Sequence, residues 1–439
     1  VTDRKLGETI EAIWRIEAAR VVAGVARLTR DLGQAEDCAQ DALVAALETW
    51  PGTGLPDNPG AWLMTAARRR ALDQLRHQTM AAPKHRELAR ELEIRHALAE
   101  AAFTERLDAA LDADIDDDLL RLIFTACHPI LSPDARAALT LKVVGGLTTD
   151  EIARAYLKAT PTIAQRIVRA KRTLAEAQVP FEVPHGAELA PRLASVLEVI
   201  YLIFNEGYAA TAGDDWMRPA LCDEALRLGR VLAGLLPEEA EVQGLTALME
   251  IQASRLPARV DADGNPILLP DQDRGRWDRL LIRRGLAALE RAAALPGAFG
   301  PYALQAAIAA CHARAASAEE TDWSRIAALY DALAAIAPSP VVALNRAVAV
   351  GMAYGPAAGL ELVDALLAEP ALSHYHLLPS VRGDLLVRLD RIPEARDEFE
   401  RAAALTRNAR ERALLLARAA GCTTPERSSG HQRGDSPDG

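Results

Sequence analysis

Aromatic side chains make up only 4% of this 439-residue chain, while Ala and Leu dominate. That scarcity argues against sheets, whose faces are filled largely by β-branched and aromatic residues, and for packed helices. Cysteine is sparse too. Cys38, Cys127, Cys222, Cys311 and Cys422 are scattered without any CxxC pair, which speaks against a disulfide framework and a zinc site and fits a reducing cytosol. The adjacent pairs Cys127-His128 and Cys311-His312 do not make a ligand set, so no metal and no cofactor is expected. No apolar run reaches the length of a membrane span, and the start VTDRKLGETIEAI lacks the apolar core of a signal peptide. The expectation is a cytoplasmic protein with no membrane partner. Lysine is nearly absent beside arginine, a bias of genome composition more than of chemistry.

Half of the residues are apolar, and the length admits two or three domains around sizeable cores. The net charge of −11 at first disfavours a nucleic-acid partner. Its distribution weakens the objection. Residues 1–185 carry 24 basic and 27 acidic side chains, so most of the acidity lies beyond them, and local basic faces govern phosphate contact at Debye-length range.

Such a face lies in LTTDEIARAYLKATPTIAQRIVRAKR, Leu147 to Arg172. Thr148 and Glu151 form a capping box, and Leu147 with Ile152 a hydrophobic staple, which predicts a helix from Thr149 to about Leu157. Lys158 and Ala159 leave room for a tight turn. Thr160 is then expected to cap a second helix, with Pro161 at its first position. That helix places Ile163, Ile167 and Leu174 on one face and turns Thr162, Gln165, Arg166, Arg169, Lys171 and Arg172 outward or sideways. It reads as a helix-turn-helix whose second helix enters a major groove; a solvated basic helix in an ordinary bundle is the plain alternative.

Upstream, residues 8–77 read as three helices. Ile10, Trp14, Val21, Val25 and Leu28 recur at helical spacing in the first, which Asp31, Leu32 and Gly33 end. The second, Ala35 to Trp50, is expected to bury Ala39, Leu43, Ala46 and Leu47 and to expose Glu36, Asp37, Gln40, Asp41 and Glu48. After the turn-rich PGTGLPDNPG, the third, Ala61 to His77, carries Trp62 and then Arg68, Arg69, Arg70 and Arg76. An aromatic platform followed by cations suits melted DNA, although a core tryptophan and a solvated arginine run explain the same residues.

The order of these pieces is specific. An acidic helix (AEDCAQDALVAALETW), a loop, a Trp-Arg helix (WLMTAARRRALDQLRH), a linker and a helix-turn-helix ending RIVRAKRTL together resemble an extracytoplasmic-function (ECF) sigma factor of bacterial RNA polymerase, over about residues 10–178. The resemblance implies that the acidic helix docks on the clamp helices of the largest subunit of core RNA polymerase through Asp37, Gln40 and Asp41, with Leu43 and Leu47 as packing face. It implies that Asp57, Asn58, Trp62, Arg68, Arg69, Arg70 and Arg76 capture the melted −10 element of promoter DNA. Thr162, Gln165, Arg166, Arg169, Lys171 and Arg172 would read the −35 element. Two departures stand out: Arg69 replaces the Asn of the family's usual Ala-Arg-Asn tripeptide, and Ala164 stands where a cation commonly follows in the recognition helix.

The resemblance divides the chain into a region 2 domain (8–78), an acidic linker (79–118), a four-helix region 4 domain (119–178), a helical extension (187–420) and a disordered tail (421–439). The linker ends in LDAALDADIDDD, which also admits an all-helical magnesium-dependent enzyme; no second metal motif is visible. Region 4 is expected to add helices at Leu119–Cys127 and from Pro133, capped by Ser132, to Gly145-Gly146. The extension shows a faint repeat, Ile326-x3-Tyr330-x2-Leu333, Ala358-x3-Leu362-x2-Ala365 and Ala395-x3-Phe399-x2-Ala402, close to the tetratricopeptide period; a closed bundle is the alternative. Within Arg259 to Leu281 a DG turn predicts a small hairpin. This segment and Tyr201 to Ala210 resemble the long C-terminal extension of one sigma subgroup, implying regulation in cis by a protein or signal partner. The expected protein is all-α, not an enzyme, and directs transcription; a helix-turn-helix activator with a repeat domain is the runner-up.

Overall fold

The computed structural model describes residues 2–80, 107–156, 158–296 and 299–422. These form eighteen α-helices, a few 3-10 turns and one pair of two-residue strands. The chain divides into two compact units, one of residues 1–209, 217–253 and 287–297 and one of 210–216, 254–286 and 298–439.

The first unit opens with three mutually packed helices, α1 (Thr2–Thr29), α2 (Leu32–Thr53) and α3 (Pro59–Met80). Helix α1 ends at Thr29, just ahead of the Asp31, Leu32 and Gly33 expected to end it, but Leu32 and Gly33 already belong to α2 and Asp31 serves that next helix. The Asp31 carboxylate accepts from the Gln34 N–H at 2.9 Å and caps α2. The core of this three-helix body includes Ala35, Ala39, Ala42 and Ala46 of α2, Val21 and Val25 of α1, and Leu63 and Ala67 of α3, all buried.

Four helices follow: α4 (Leu107–Ala126), α5 (Pro133–Val143), α6 (Thr149–Ala155) and α7 (Thr160–Glu176). The acidic run was expected to be a connector as far as residue 118, but it forms the first half of α4. Aspartate is a poor helix former in general, yet in the first turns it meets the positive end of the helix dipole. Of the rest of that linker, residues 81–106 lie outside the described residues, as does the expected tail from 423.

The Pro/Gly-rich segment 178–186 is not where the contacts part. Beyond it, α8 (Leu189–Tyr208) packs on α4 and α5. The buried Arg136 donates to the Ser195 hydroxyl and pairs with Glu198 at 3.0 Å; Ser195 donates to the Cys127 carbonyl at 2.6 Å, and Arg192 to the Phe124 carbonyl at 2.9 Å. Helices α9 (Pro219–Leu235) and α10 (Ala240–Ala253) complete this body. Arg227 of α9 donates to the Val144 carbonyl at 2.8 Å.

Helix α11 (Arg279–Ala294) has residues in both units. In the second unit α12 (Pro301–Arg314), α13 (Trp323–Ile336), α14 (Pro340–Tyr354), α15 (Pro356–Ala365), α16 (Leu377–Arg388), α17 (Ile392–Leu405) and α18 (Ala409–Gly421) each pack on the next in sequence. Gly351 and Gly359 let α14 and α15 nearly touch: a Cβ on Gly359 would meet the Gly351 Cα at 2.7 Å. The DG hairpin is present. Val260 and Pro266 form an antiparallel bridge, Gly264 takes φ +80°, and Arg410 donates to Asn265 at 3.0 Å. Strands β1 (Ala212–Gly213) and β2 (Arg407–Asn408) pair in parallel, with the Asn408 amide donating to the carbonyls of Ala210 and Asp215.

Candidate polymerase and nucleic-acid interfaces

The helix-turn-helix is assembled by its caps. Thr148 accepts from the Glu151 N–H at 3.2 Å while the Glu151 carboxylate accepts from the Thr148 N–H at 2.8 Å, closing the capping box. Burial works against that carboxylate, but the Thr148 hydrogen bonds and the nearby Arg15 and Arg154 outweigh it and hold its pKa below the usual range. Helix α6 ends at Ala155. Thr160 does not cap α7 as expected. It lies in the first turn, with Ala159 as a cap that lends no side chain, and its hydroxyl donates to Asp150 at 2.8 Å, tying the two helices together.

Helix α7 buries Ile163, Ile167, Ala170 and Leu174. Thr162, Gln165, Arg169 and Arg172 are exposed, and Arg166 and Lys171 half-buried. Its cations differ in what already holds them. Arg166 pairs with Asp134 at 3.2 Å, Arg172 with Glu176 at 3.3 Å, and Lys171 with Glu36 of α2. Among the described residues Arg169 has no ion pair. Val168, 64% exposed beside Arg169, is an apolar group on the outer face that the sequence reading missed; its only signal was a valine off the buried stripe.

On α2 the buried stripe is shifted from the expected one. Leu32, Ala35, Ala39, Ala42, Ala46 and Trp50 face inward, whereas Leu43 is half-buried and Leu47 is 47% exposed. Leu47, Val44, Asp37, Gln40 and Asp41 all reach solvent, so apolar and acidic groups share one free surface. Glu36, expected on that surface, is buried instead, held by Lys171 and by Lys142 at 3.4 Å.

Asp57 and Asn58 are exposed, and the Asn58 side-chain amide oxygen accepts from the Ala61 N–H at 3.0 Å, capping α3. Trp62 is half-buried, its ring edge-on to the buried Trp50 at 5.3 Å between centroids. It is thus both packing residue and exposed edge. Arg69, Arg70 and Arg76 are exposed, with Arg68 half-buried beside them; Arg76 pairs with Asp73 at 3.3 Å. Trp62, Arg69 and Arg76, seven residues apart, therefore share one face of α3, with Arg68 and Arg70 to either side of it, the kinds of group that stack a base and hold a backbone.

The acidic run ends in structural ion pairs. Asp118 is 1% exposed, pairs with Arg121 at 2.7 Å and with Arg27 of α1 at 3.6 Å, and burial pushes its pKa up in spite of both cations. Asp117 also pairs with Arg121. The other four aspartates have side chains outside the described residues, and no group of three metal-ligating side chains occurs among those that are described. A cavity of about 800 Å³ opens between α1, α4 and α9. Of its arginines, Arg15, Arg227 and Arg230 are already paired with Glu151, Glu224 and Glu250, which makes it a poor anion site.

Known proteins match these pieces in the same order. The family model described as Sigma-70 region 2 matches residues 15–80, and Sigma-70, region 4 matches 121–174. A third, Family of unknown function (DUF6596), matches 192–293. An ECF RNA polymerase sigma factor, SigK, of Mycobacterium tuberculosis (strain ATCC 25618 / H37Rv) is 30% identical over 160 residues, 36% of this chain and 78% of the relative; SigK of Mycobacterium bovis (strain BCG / Pasteur 1173P2) gives the same figures. An uncharacterized protein of Rhizobium meliloti (strain 1021) is 45% identical over 397 residues, 90% of this chain and 92% of the relative. Nearly the whole chain, extension included, is therefore shared with that protein.

Proposed function

This chain belongs to the ECF RNA polymerase sigma factors, and from that premise we propose how its surfaces divide the work. Sigma factors are DNA-binding initiation factors without catalytic activity of their own, and the chain binds core polymerase and directs transcription from chosen promoters. The proposed docking site on the clamp helices of the largest polymerase subunit is the free face of α2: Asp37, Gln40 and Asp41 meet cations while Leu43 and Leu47 pack. The loop at Asp57 and Asn58, the exposed edge of Trp62 and Arg68, Arg69, Arg70 and Arg76 take the melted −10 strand. The outer face of α7, Thr162, Gln165, Arg166, Arg169, Lys171 and Arg172, enters the −35 major groove.

The observation that carries this division is the free face of α2. Exposed leucine and valine beside exposed carboxylates is poor design for a solvated helix and good design for a docking one. The extension is assigned to regulation in cis through stacked helix pairs of tetratricopeptide type, supported by the sequential packing of α12–α18. No described helix is long and apolar enough to cross a membrane, in keeping with action in the cytoplasm. The test is capture of core polymerase by the full chain without DNA. Reversing Asp37 and Asp41 to Lys should cut capture at least about tenfold, chiefly by slowing association, with the thermal melt unchanged. Undiminished capture by the double variant would remove α2 as the docking site.

A further inference from the structure

Glu36 and Lys171 are 135 residues apart in sequence and in direct contact. Glu36 lies on α2 and its side chain is 9% exposed; Lys171 lies on α7 and is 19% exposed. Lys142 of α5 reaches the same carboxylate. Lysine occurs in this chain only at positions 5, 84, 142, 158 and 171, so two of these rare side chains converge on one acid. Other charge pairs line the same seam: Arg15 of α1 with Glu151 at 2.8 Å, and Arg27 of α1 with Asp118.

The contact is incompatible with promoter binding as proposed above, on which this inference rests. Elements at −10 and −35 are roughly 25 base pairs apart, or about 85 Å of duplex at 3.4 Å per pair. Helix α3 has 22 residues, about 33 Å of length. Because α3 packs on α2 and α2 touches α7, no residue of α3 lies more than about 53 Å from Lys171, adding two interhelical spacings of about 10 Å each. The arrangement therefore cannot span both elements. The ammonium of Lys171 is also already held by a carboxylate, the charge that a phosphate would otherwise supply.

We propose that the free protein is closed by a carboxylate clasp, in which Glu36 of the polymerase-docking helix holds Lys171 of the −35 helix and Lys142 beside it in place of DNA phosphate. Opening then requires a partner that competes for Lys171, as duplex on α7 would, or one that draws the two helices apart, as polymerase on the free face of α2 would. The two lysines lose their carboxylate together when the clasp opens, so opening creates a basic patch of Lys142 and Lys171 that the closed form lacks.

The experiment uses the full chain, a generic 20-base-pair duplex at low salt, and small-angle scattering without DNA. Glu36→Gln removes the clasp, and Glu48→Gln, an exposed site on the same helix, makes the same charge change elsewhere. The first should bind duplex at least about fivefold more tightly than the second, within the usual range of coupling between sites. It should also scatter with a larger radius of gyration while keeping its helical circular dichroism. Arg15→Ala guards against a folding artefact: it removes a cation, which alone would weaken DNA binding, yet by breaking the seam it should strengthen it about twofold. Equal duplex binding by the two glutamine variants together with unchanged scattering overturns the clasp. If Glu36→Gln expands the molecule but neither it nor the parent binds duplex, closure stands and the assignment of α7 to DNA fails.

Discussion

Arg169 differs from its neighbours on α7 because nothing in the described structure competes for it, whereas Arg166 must first leave Asp134 and Lys171 must leave Glu36. Arg169→Ala should therefore give the larger loss in −35 binding, about 1–3 kcal/mol if the guanidinium makes a bidentate base contact. Arg172→Ala should lower affinity evenly across sequences and flatten the salt slope by about one unit. Binding titrations at several salt concentrations separate the two, and a uniform loss from Arg169→Ala would make it a phosphate contact. A second residue-scale expectation concerns His312, which burial and then Arg255 and Arg274 hold neutral, its pKa lowered from 6.5 to about 3. The unfolded chain takes up this proton below about 6.5 and the folded chain only near 3. Stability present above pH 6.5 is therefore lost as pH falls through that window, with a slope approaching 1.4 kcal/mol per unit at most. Denaturation of His312→Gln at pH 4 to 7 should show a shallower acid dependence than the parent; equal slopes would mean that His312 protonates freely in the fold. The outward cations of α7 were legible because helical periodicity fixes which side chains share a face. Their partners were not, since Glu36 and Asp134 reach them through tertiary packing that no local pattern encodes.

Helix α2 shows how a pattern can be right in kind and wrong in phase. Its sequence offers two candidate stripes, one ending in Leu43 and Leu47 and one built of Ala35, Ala39, Ala42 and Ala46, and hydrophobicity alone favours the leucines. The fold turns the alanines inward, with Leu32 and Trp50 at the two ends of the same stripe, toward α1 and α3. The leucines are thereby left for a partner, the role that the family resemblance had implied for them while periodicity placed them in the core. Leu47→Ala should consequently change stability by no more than about 0.5 kcal/mol, the range of ordinary surface substitutions, and still weaken capture of core polymerase several-fold. A melting point lowered by many degrees would return Leu47 to the core. Helix α4 gives the opposite lesson. Composition marked its acidic first half as a connector, but Asp118 is the buried partner of Arg27 and Arg121, and charge density by itself does not distinguish a solvated linker from a helix whose acids are needed inside.

At the scale of the molecule, the order of the polymerase-binding and DNA-binding pieces was readable from about forty characteristic positions, but the way the extension joins them was not. Prolines and a glycine between 178 and 186 mark a break in secondary structure, and a break in secondary structure is not a break in packing. Helix α8 begins just beyond it and inserts Leu193, Val196, Leu197 and Ile200 into the same body as the helix-turn-helix. It also satisfies the Phe124 and Cys127 carbonyls and neutralises the buried Arg136 with Glu198. A chain ending at Pro180 would expose that apolar surface and leave Arg136 without its partners. Each buried aliphatic side chain is worth about 1.5–3 kcal/mol, and an orphaned buried charge costs several more, so the loss is comparable with the whole stability of a domain of this size. The truncated protein should therefore melt well below the first transition of the full chain and be cut by protease within α4 or α5 under conditions where the full chain resists. A loss of transcription on truncation would then report a damaged −35 domain and would say nothing about regulation. The informative comparison keeps α8–α10 and alters the second unit alone, for instance through Gly264→Val, which strains the φ +80° turn of the hairpin. If the chain ending at Pro180 melts as cooperatively and as high as the full protein, α8 is an ornament on the sigma core and the extension begins where the prolines stand.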